Sequence, residues 1–171
     1  MSSVTPAEVG SFFLSLVVPI TTGVVAAGFT AFFALNRFYK EKWWEKKHAA
    51  YNQLIDKLFE IKAIYSHASD FYEAEYNAGM YDRPPPKGSV DWNTFHQIKA
   101  QLHRFYVLAP ISLSNNTRDL LNNFFKQDAD SDHSVYEEGY PDFVAYNDMT
   151  IATQQLIDAI VLDAEKELKF K

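Results

Sequence analysis

The chain has 171 residues, no cysteine and a formal net charge of −6. These values exclude a disulfide framework, thiolate chemistry and the broad basic surface that nucleic-acid binding needs to replace condensed counterions. The charge is also partitioned. Residues 36–50 carry Arg37, Lys40, Lys42, Lys46 and Lys47 against Glu41 and Glu45, a local +3, while residues 51–171 carry 11 basic and 19 acidic side chains.

In chain order, residues 1–8 are expected to form a short extracytoplasmic tail and residues 9–36 a transmembrane helix. No charged residue occurs from Val9 to Asn36, and Phe12–Leu35 is an uncharged run of 24 residues. About 20 such residues in a helix cross a hydrocarbon core of ~30 Å. Pro19 and Gly23, unfavourable inside a soluble helix, are tolerated in membrane helices. A cleaved signal peptide would begin with basic residues and have a shorter apolar core, whereas MSSVTPAEVG has neither Lys nor Arg. The positive flank lies after the span, so the C-terminal side is expected in the cytoplasm and the N-terminus outside, which places the chain in the cell inner membrane.

Within the span, Gly23, Ala27 and Ala31 recur every four residues, and Ala26 and Thr30 belong to a neighbouring row with Thr22 and Ala34. Faces of small side chains let helix backbones approach closely in lipid, so these residues are the candidate homo-oligomerisation face. Residues 37–50 form a basic, aromatic juxtamembrane helix. Arg37, Phe38, Tyr39, Lys40, Trp43 and Trp44 are its candidate membrane-interface residues, since indole and phenol rings favour the headgroup level.

Residues 51–171 are expected to be a cytoplasmic helical bundle. No Pro or Gly interrupts the sequence between Gly28 and Gly79, and Tyr51, Leu54, Leu58, Ile61, Tyr65, Ala68 and Tyr72 make one stripe at helical period. This predicts that the first helix runs on from the span to about Asn77. Pro84-Pro85-Pro86 cannot be helix interior and marks a loop. A second helix is expected over Asp91–Leu108, with Phe95, Ile98, Leu102, Phe105 and Tyr106 inward and Pro110 as its stop. Ser112 or Ser114 can cap a third, shorter helix carrying Thr117, Leu120, Leu121, Phe124 and Phe125. The acidic DADSDHSVYEEGYPD reads as a surface loop. A last helix is expected from about Asp142 to Leu168, with Phe143, Tyr146, Met149, Ile151, Ile157, Ile160, Val161, Ala164 and Leu168 as core or aromatic contacts. No segment alternates at period two. The fold class is therefore all-α, a transmembrane helix continuing into an antiparallel four-helix bundle.

Chemistry-bearing patterns are few. Asp128, Asp130 and Asp132 begin like a calcium loop, but His133 stands where glycine is needed and Gly139 where the bidentate glutamate belongs. His96 and His103 are seven apart on one predicted helix and lack the i, i+4 spacing of a metal pair, and His67 is on another helix. No phosphate-binding glycine loop, nucleophile elbow or zinc helix is present. The expectation is a protein that is not an enzyme and uses no cofactor and no metal.

The join LNRFYKEKWWEKKHAAYNQLIDKLFEIK and the late segment DAEKELKF resemble small prokaryotic single-pass, membrane-anchored helical-bundle proteins. The layout also resembles membrane effectors and accessory proteins of antiphage systems, including those accompanying retrons and type VI-B CRISPR nucleases. Helical-bundle ribonucleases of the HEPN type place a His four to six residues after an Arg, and none of Arg37, Arg83, Arg104 or Arg118 is so followed. The resemblance implies a defence role at the inner membrane. The expected partners are the lipid bilayer, further copies of the chain and a cytoplasmic protein. The leading expectation is a non-enzymatic effector acting on membrane integrity; the alternative is a scaffold that recruits a partner enzyme without forming a pore.

Overall fold

The computed structural model describes the backbone of residues 6–169, and the side chains at positions 15 and 23 and of residues 27–169. The described residues are all-helical, with α1 Pro6–Met80, α2 Trp92–Ser112, α3 Asn115–Glu138 and α4 Asp142–Leu168, and no strand among them. The chain divides into two compact units, Met1–Trp44 and Glu45–Lys171. Among the described residues no helix is long and apolar enough to cross a membrane. The segment expected to do so, 9–36, falls largely on positions whose side chains lie outside the described residues.

The second unit is an up-down-up-down bundle, and side-chain pairs along α1 set its directions. Lys47, Tyr51, Lys62 and Ser69 meet Glu167, Asp163, Gln154 and Phe143 in turn, so α4 runs antiparallel to α1. Tyr51 and Tyr65 meet Thr117 and Asp128, so α3 runs parallel to it. Tyr65 packs against Phe95 near the start of α2, and the groove between these helices pairs Ala50 with Ser112, so α2 descends. Two ends follow: a base, where Glu45–Tyr51, the α2–α3 turn and the end of α4 converge, and a tip formed by the end of α1, the start of α2, the end of α3 and the start of α4.

The core follows the expected stripe. Tyr51, Leu54, Leu58, Ile61, Tyr65 and Ala68 are buried, and Tyr72 is half-buried. Facing them are Phe95, Ile98 and Leu102 of α2, Leu121 and Phe124 of α3, and Met149, Leu156, Ile157 and Ile160 of α4. Phe105, Tyr106, Leu120 and Phe125 only flank this cluster. Ile151 and Val161, expected inward, are exposed, because the buried row of α4 passes through Met149, Thr153, Leu156 and Ile160 and leaves them off its face.

Helix boundaries correct the sequence reading at three places. α2 does not stop before Pro110: the ring removes only the N–H that would bond the Tyr106 carbonyl, and the helix ends two residues later with Leu113 N–H bonding Ala109 O at 2.8 Å. The acidic stretch after Lys126 is not a loop. It continues α3 to Glu138, because no Pro or Gly interrupts it and Asp128 turns inward onto partners. α1 continues to Met80 and closes in a Schellman turn, with Asp82 at φ 51° and Arg83 N–H bonding Ala78 O at 2.9 Å.

Starts and stops have local causes. Asp91 caps α2 by accepting from Thr94 N–H at 3.0 Å and from Thr94 Oγ1 at 2.6 Å, and these bonds hold its carboxyl below the usual value. Of the two candidate serines, Ser114 caps α3, accepting from Thr117 N–H at 2.9 Å. Gly139 ends α3 at φ 71°, where a Cβ would be strained although it would touch nothing within 4 Å. Gly139→Ala is therefore expected to destabilise the bundle by about 1 kcal/mol through backbone conformation alone. A lowered thermal midpoint of the full-length chain, followed by circular dichroism, checks this.

Candidate functional site

Two surfaces and two buried polar clusters hold what chemistry the structure offers. The first surface belongs to the first unit. From Ala27 to Lys42 every residue is exposed, and the stretch Ala27–Leu35 contains no charge. Phe29, Phe32, Phe33 and Leu35 are between 56 and 65% exposed. Contiguous apolar surface of this kind marks a face built to meet lipid or another protein. Phe38, Tyr39 and Trp43 follow, also exposed, while Trp44 is half-buried. Arg37 Nε donates to Glu41 Oε1 at 2.8 Å, and Lys40 is exposed beside them.

Of the small-residue face, Ala27, Thr30 and Ala31 are exposed, as is Gly23, where an added Cβ would meet nothing within 4 Å. The side chain of Ala26 lies outside the described residues. The small size of Gly23 is thus not explained by packing against any described residue of its own chain.

One basic residue leaves the expected membrane patch. Lys47 is buried in the bundle and pairs with Glu167. It extends the α1 stripe by one turn below Tyr51, so a cation fills a position that an apolar residue would fill elsewhere. The carboxylate of Glu167 offsets part of its cost of desolvation.

At the base, Asp163 is buried and accepts four hydrogen bonds: Tyr51 Oη at 2.9 Å, Thr117 Oγ1 at 2.6 Å, Asn116 Nδ2 at 3.0 Å and Ser114 Oγ. Burial pushes this carboxyl up, but the bonds from Ser114, Thr117, Tyr51 and Asn116 outweigh it and hold it below the usual carboxylate value. The carboxylate also faces the start of α3, where helix N–H dipoles favour negative charge. Burial raises the Tyr51 hydroxyl to about 12, so it remains a donor. A carboxylate this stabilised is a weak base, and the hydroxyls around it all point into it. The cluster joins α1, α3 and α4; it does not resemble an activated nucleophile.

Halfway up, Asp128 accepts from Tyr65 and pairs with Lys99 of α2, with Asp132 at 4.0 Å from the same ammonium. Burial, and then the charge of Asp128, push the Asp132 carboxyl up. Asp128 and Asp132 thus serve an internal ion pair and lie on a helix, so the D-x-D-x-D run is not a calcium loop. No group of three or more metal-ligating side chains occurs among the described residues. His67, His96 and His103 are exposed and separate.

The second surface is the tip. Stacked and edge-on rings run from Phe95 through Trp92 and Tyr146 to Tyr72, and Tyr76 packs on Phe143. Helical periodicity marks several of these rings as core contacts but misses that they line an open cleft, because it carries no information about which end of a bundle is capped.

No known protein family, curated protein or solved structure matches this chain.

Removing the Asp163 carboxylate leaves donors from α1 and α3 without their acceptor on α4. Asp163→Asn is expected to cost about 3 kcal/mol near neutral pH. Because the folded carboxyl titrates below its unfolded value, its stabilisation is complete above about pH 4 and is lost as pH falls through the folded value. The stability gap between wild type and Asp163→Asn should therefore narrow below about pH 4, as measured by thermal unfolding of the two proteins across pH.

Proposed function

We propose that the chain is a non-enzymatic, membrane-anchored protein that self-associates through its N-terminal helix and thereby alters membrane integrity. The observation that carries this reading is the uncharged, fully exposed stretch Ala27–Leu35, followed by the exposed aromatic and basic residues Phe38, Tyr39, Lys40 and Trp43. Together with the charge-free run from Val9, it has the composition of a helix buried in lipid with an interfacial collar. The excess of Lys and Arg after the run supports an orientation with Glu45–Lys171 inside the cell.

Self-association is supported by Gly23, Ala27 and Ala31 on one face, and by the open space at Gly23. Glycine in a helix interior costs up to about 1 kcal/mol relative to alanine, and close approach of a second helix explains its use here. A non-enzymatic role is supported by the buried polar side chains, each of which is engaged in bonds within the bundle. Antiphage defence at the inner membrane is the proposed setting, and it rests on the resemblance of the overall layout alone.

Expression of the chain under activating conditions should depolarise cells loaded with a membrane-potential dye. Gly23→Leu or Ala27→Leu should abolish the signal while the protein stays in the carbonate-washed membrane fraction. A potential that never changes, with a partner protein held at the membrane, would favour the scaffold; release of the chain by carbonate would overturn anchoring itself.

A further inference from the structure

The tip of the bundle carries an open cleft of about 660 Å3 lined by Tyr72, Tyr76, Met80 and Phe143 together with the carboxylates Glu75 and Asp142. Tyr76 and Met80 are more than half exposed. Among the described residues neither Glu75 nor Asp142 is in an ion pair. The lining thus carries two carboxylates and no cation. Burial raises the Tyr72 hydroxyl, the Trp92 hydrogen bond opposes this, and the charges of Asp142 and Glu75 add to the rise. An aromatic lining with two carboxylates suits an extended proline-rich segment flanked by cations.

The chain itself contains such a segment. Arg83-Pro84-Pro85-Pro86-Lys87 follows directly on α1, and all of it is non-helical and exposed except the half-buried Pro86. Three successive prolines favour the polyproline II helix, which is preorganised and loses little entropy on docking. That helix rises ~3.1 Å per residue, which places the two cations ~12 Å apart, on either side of an apolar ridge. Within its own chain Arg83 only covers the Tyr81 ring, at 5.5 Å, and among the described residues neither Arg83 nor Lys87 forms an ion pair.

We propose that the Arg83–Lys87 segment of one copy docks in the Tyr72–Tyr76–Phe143 cleft of a second copy, with Arg83 and Lys87 meeting Glu75 and Asp142. Segment and cleft lie at the same end of the bundle, so two copies can exchange segments reciprocally about a two-fold axis. The contact is separate from the small-residue face of the N-terminal helix and does not depend on it.

The absence of cysteine makes the test clean. Gly79 lines the cleft with space for a side chain, and Ser89 follows the basic segment on the exposed loop. Two full-length chains with different tags, one carrying Gly79→Cys and the other Ser89→Cys, are co-expressed and their membranes oxidised. A mixed disulfide should form, and should fall at least fivefold when Glu75→Lys and Asp142→Lys are added to the Gly79→Cys copy. Arg83→Glu with Lys87→Glu on the Ser89→Cys copy should restore it, which a misfolded variant could not do. A mixed disulfide that is absent, that survives the charge reversal, or that is not restored by the double reversal overturns the proposal. That includes the case in which a basic segment of another protein fills the cleft. The readout is a covalent dimer and not a membrane potential, so its failure is distinct from failure of the anchored-effector reading.

Discussion

The buried carboxylate of Asp163 fixes the arrangement of the bundle. Its oxygens take donors from α1 and from the capping turn of α3, while the residue itself stands on α4. Leu and Ile side chains in the layers above could slide by a helical turn and still find apolar neighbours. An acceptor with four donors cannot, because every displaced bond leaves a polar group dry. Lys47–Glu167 repeats this constraint one turn below, and Tyr65–Asp128–Lys99 repeats it in the middle of the bundle, bringing α2 into the same register. Buried pairs of this kind contribute little net stability relative to a well-packed apolar core. What they exclude is the wrong register. Tyr51 and Tyr65 matter for the same reason: each ring fills the core and each hydroxyl reaches an acidic partner, so one side chain serves packing and alignment together.

The same carboxylates explain how far the sequence could be read. The apolar stripe from Tyr51 to Ala68 was legible because period and residue type agree over about five turns. The helical nature of residues 128–138 was not. An acidic run reads as solvated surface when only apolar residues are counted as inward, and Asp128 occupies the inward position about one turn after Phe124 on that face. Asp163 is hidden in the same way inside DAEKELKF, among charges that differ from it in their place on the helix and not in their chemistry. Lys47 reads as one more cation of the basic flank because four other basic residues precede it closely in sequence. A single helix shows period but not partners, so polar residues in the core become visible only when the facing helices are placed. Pro110 illustrates the complementary error: proline costs a helix one N–H bond to the carbonyl four residues before it, here Tyr106, and that single loss does not keep α2 from running to Ser112.

The candidate membrane surface rests on a different kind of signal. It needs no partner within the chain, and its signal is composition. Exposure of Phe29, Phe32, Phe33 and Leu35 adds that no described part of the first unit covers these side chains. Burial of Lys47 removes one cation from the exposed basic flank of residues 36–50. The charges left to the juxtamembrane stretch are Arg37, Lys40, Lys42 and Lys46 against Glu41 and Glu45, and Arg37 is already bonded to Glu41. On the proposed anchored reading, attraction to anionic headgroups is thereby weaker than the sequence count suggests, and the aromatic side chains carry more of the anchoring.

The two ends of the bundle also differ in what they leave unmet. At the base, every buried hydroxyl, carboxylate and ammonium among the described residues has a partner, and a switch there would have to exchange those partners for others. The described residues offer none. From the tip to the middle of the bundle, rings run from Tyr72 past Tyr146 to Tyr65, but contiguity of rings is not coupling without a second arrangement for them to adopt. The tip, by contrast, has open volume, exposed rings and carboxylates free of ion pairs among the described residues. A bundle locked at one end and unsatisfied at the other responds most readily by changing its neighbours, not its interior. On the proposed self-associating reading, the bundle serves as a rigid element and the number of copies brought together sets the response.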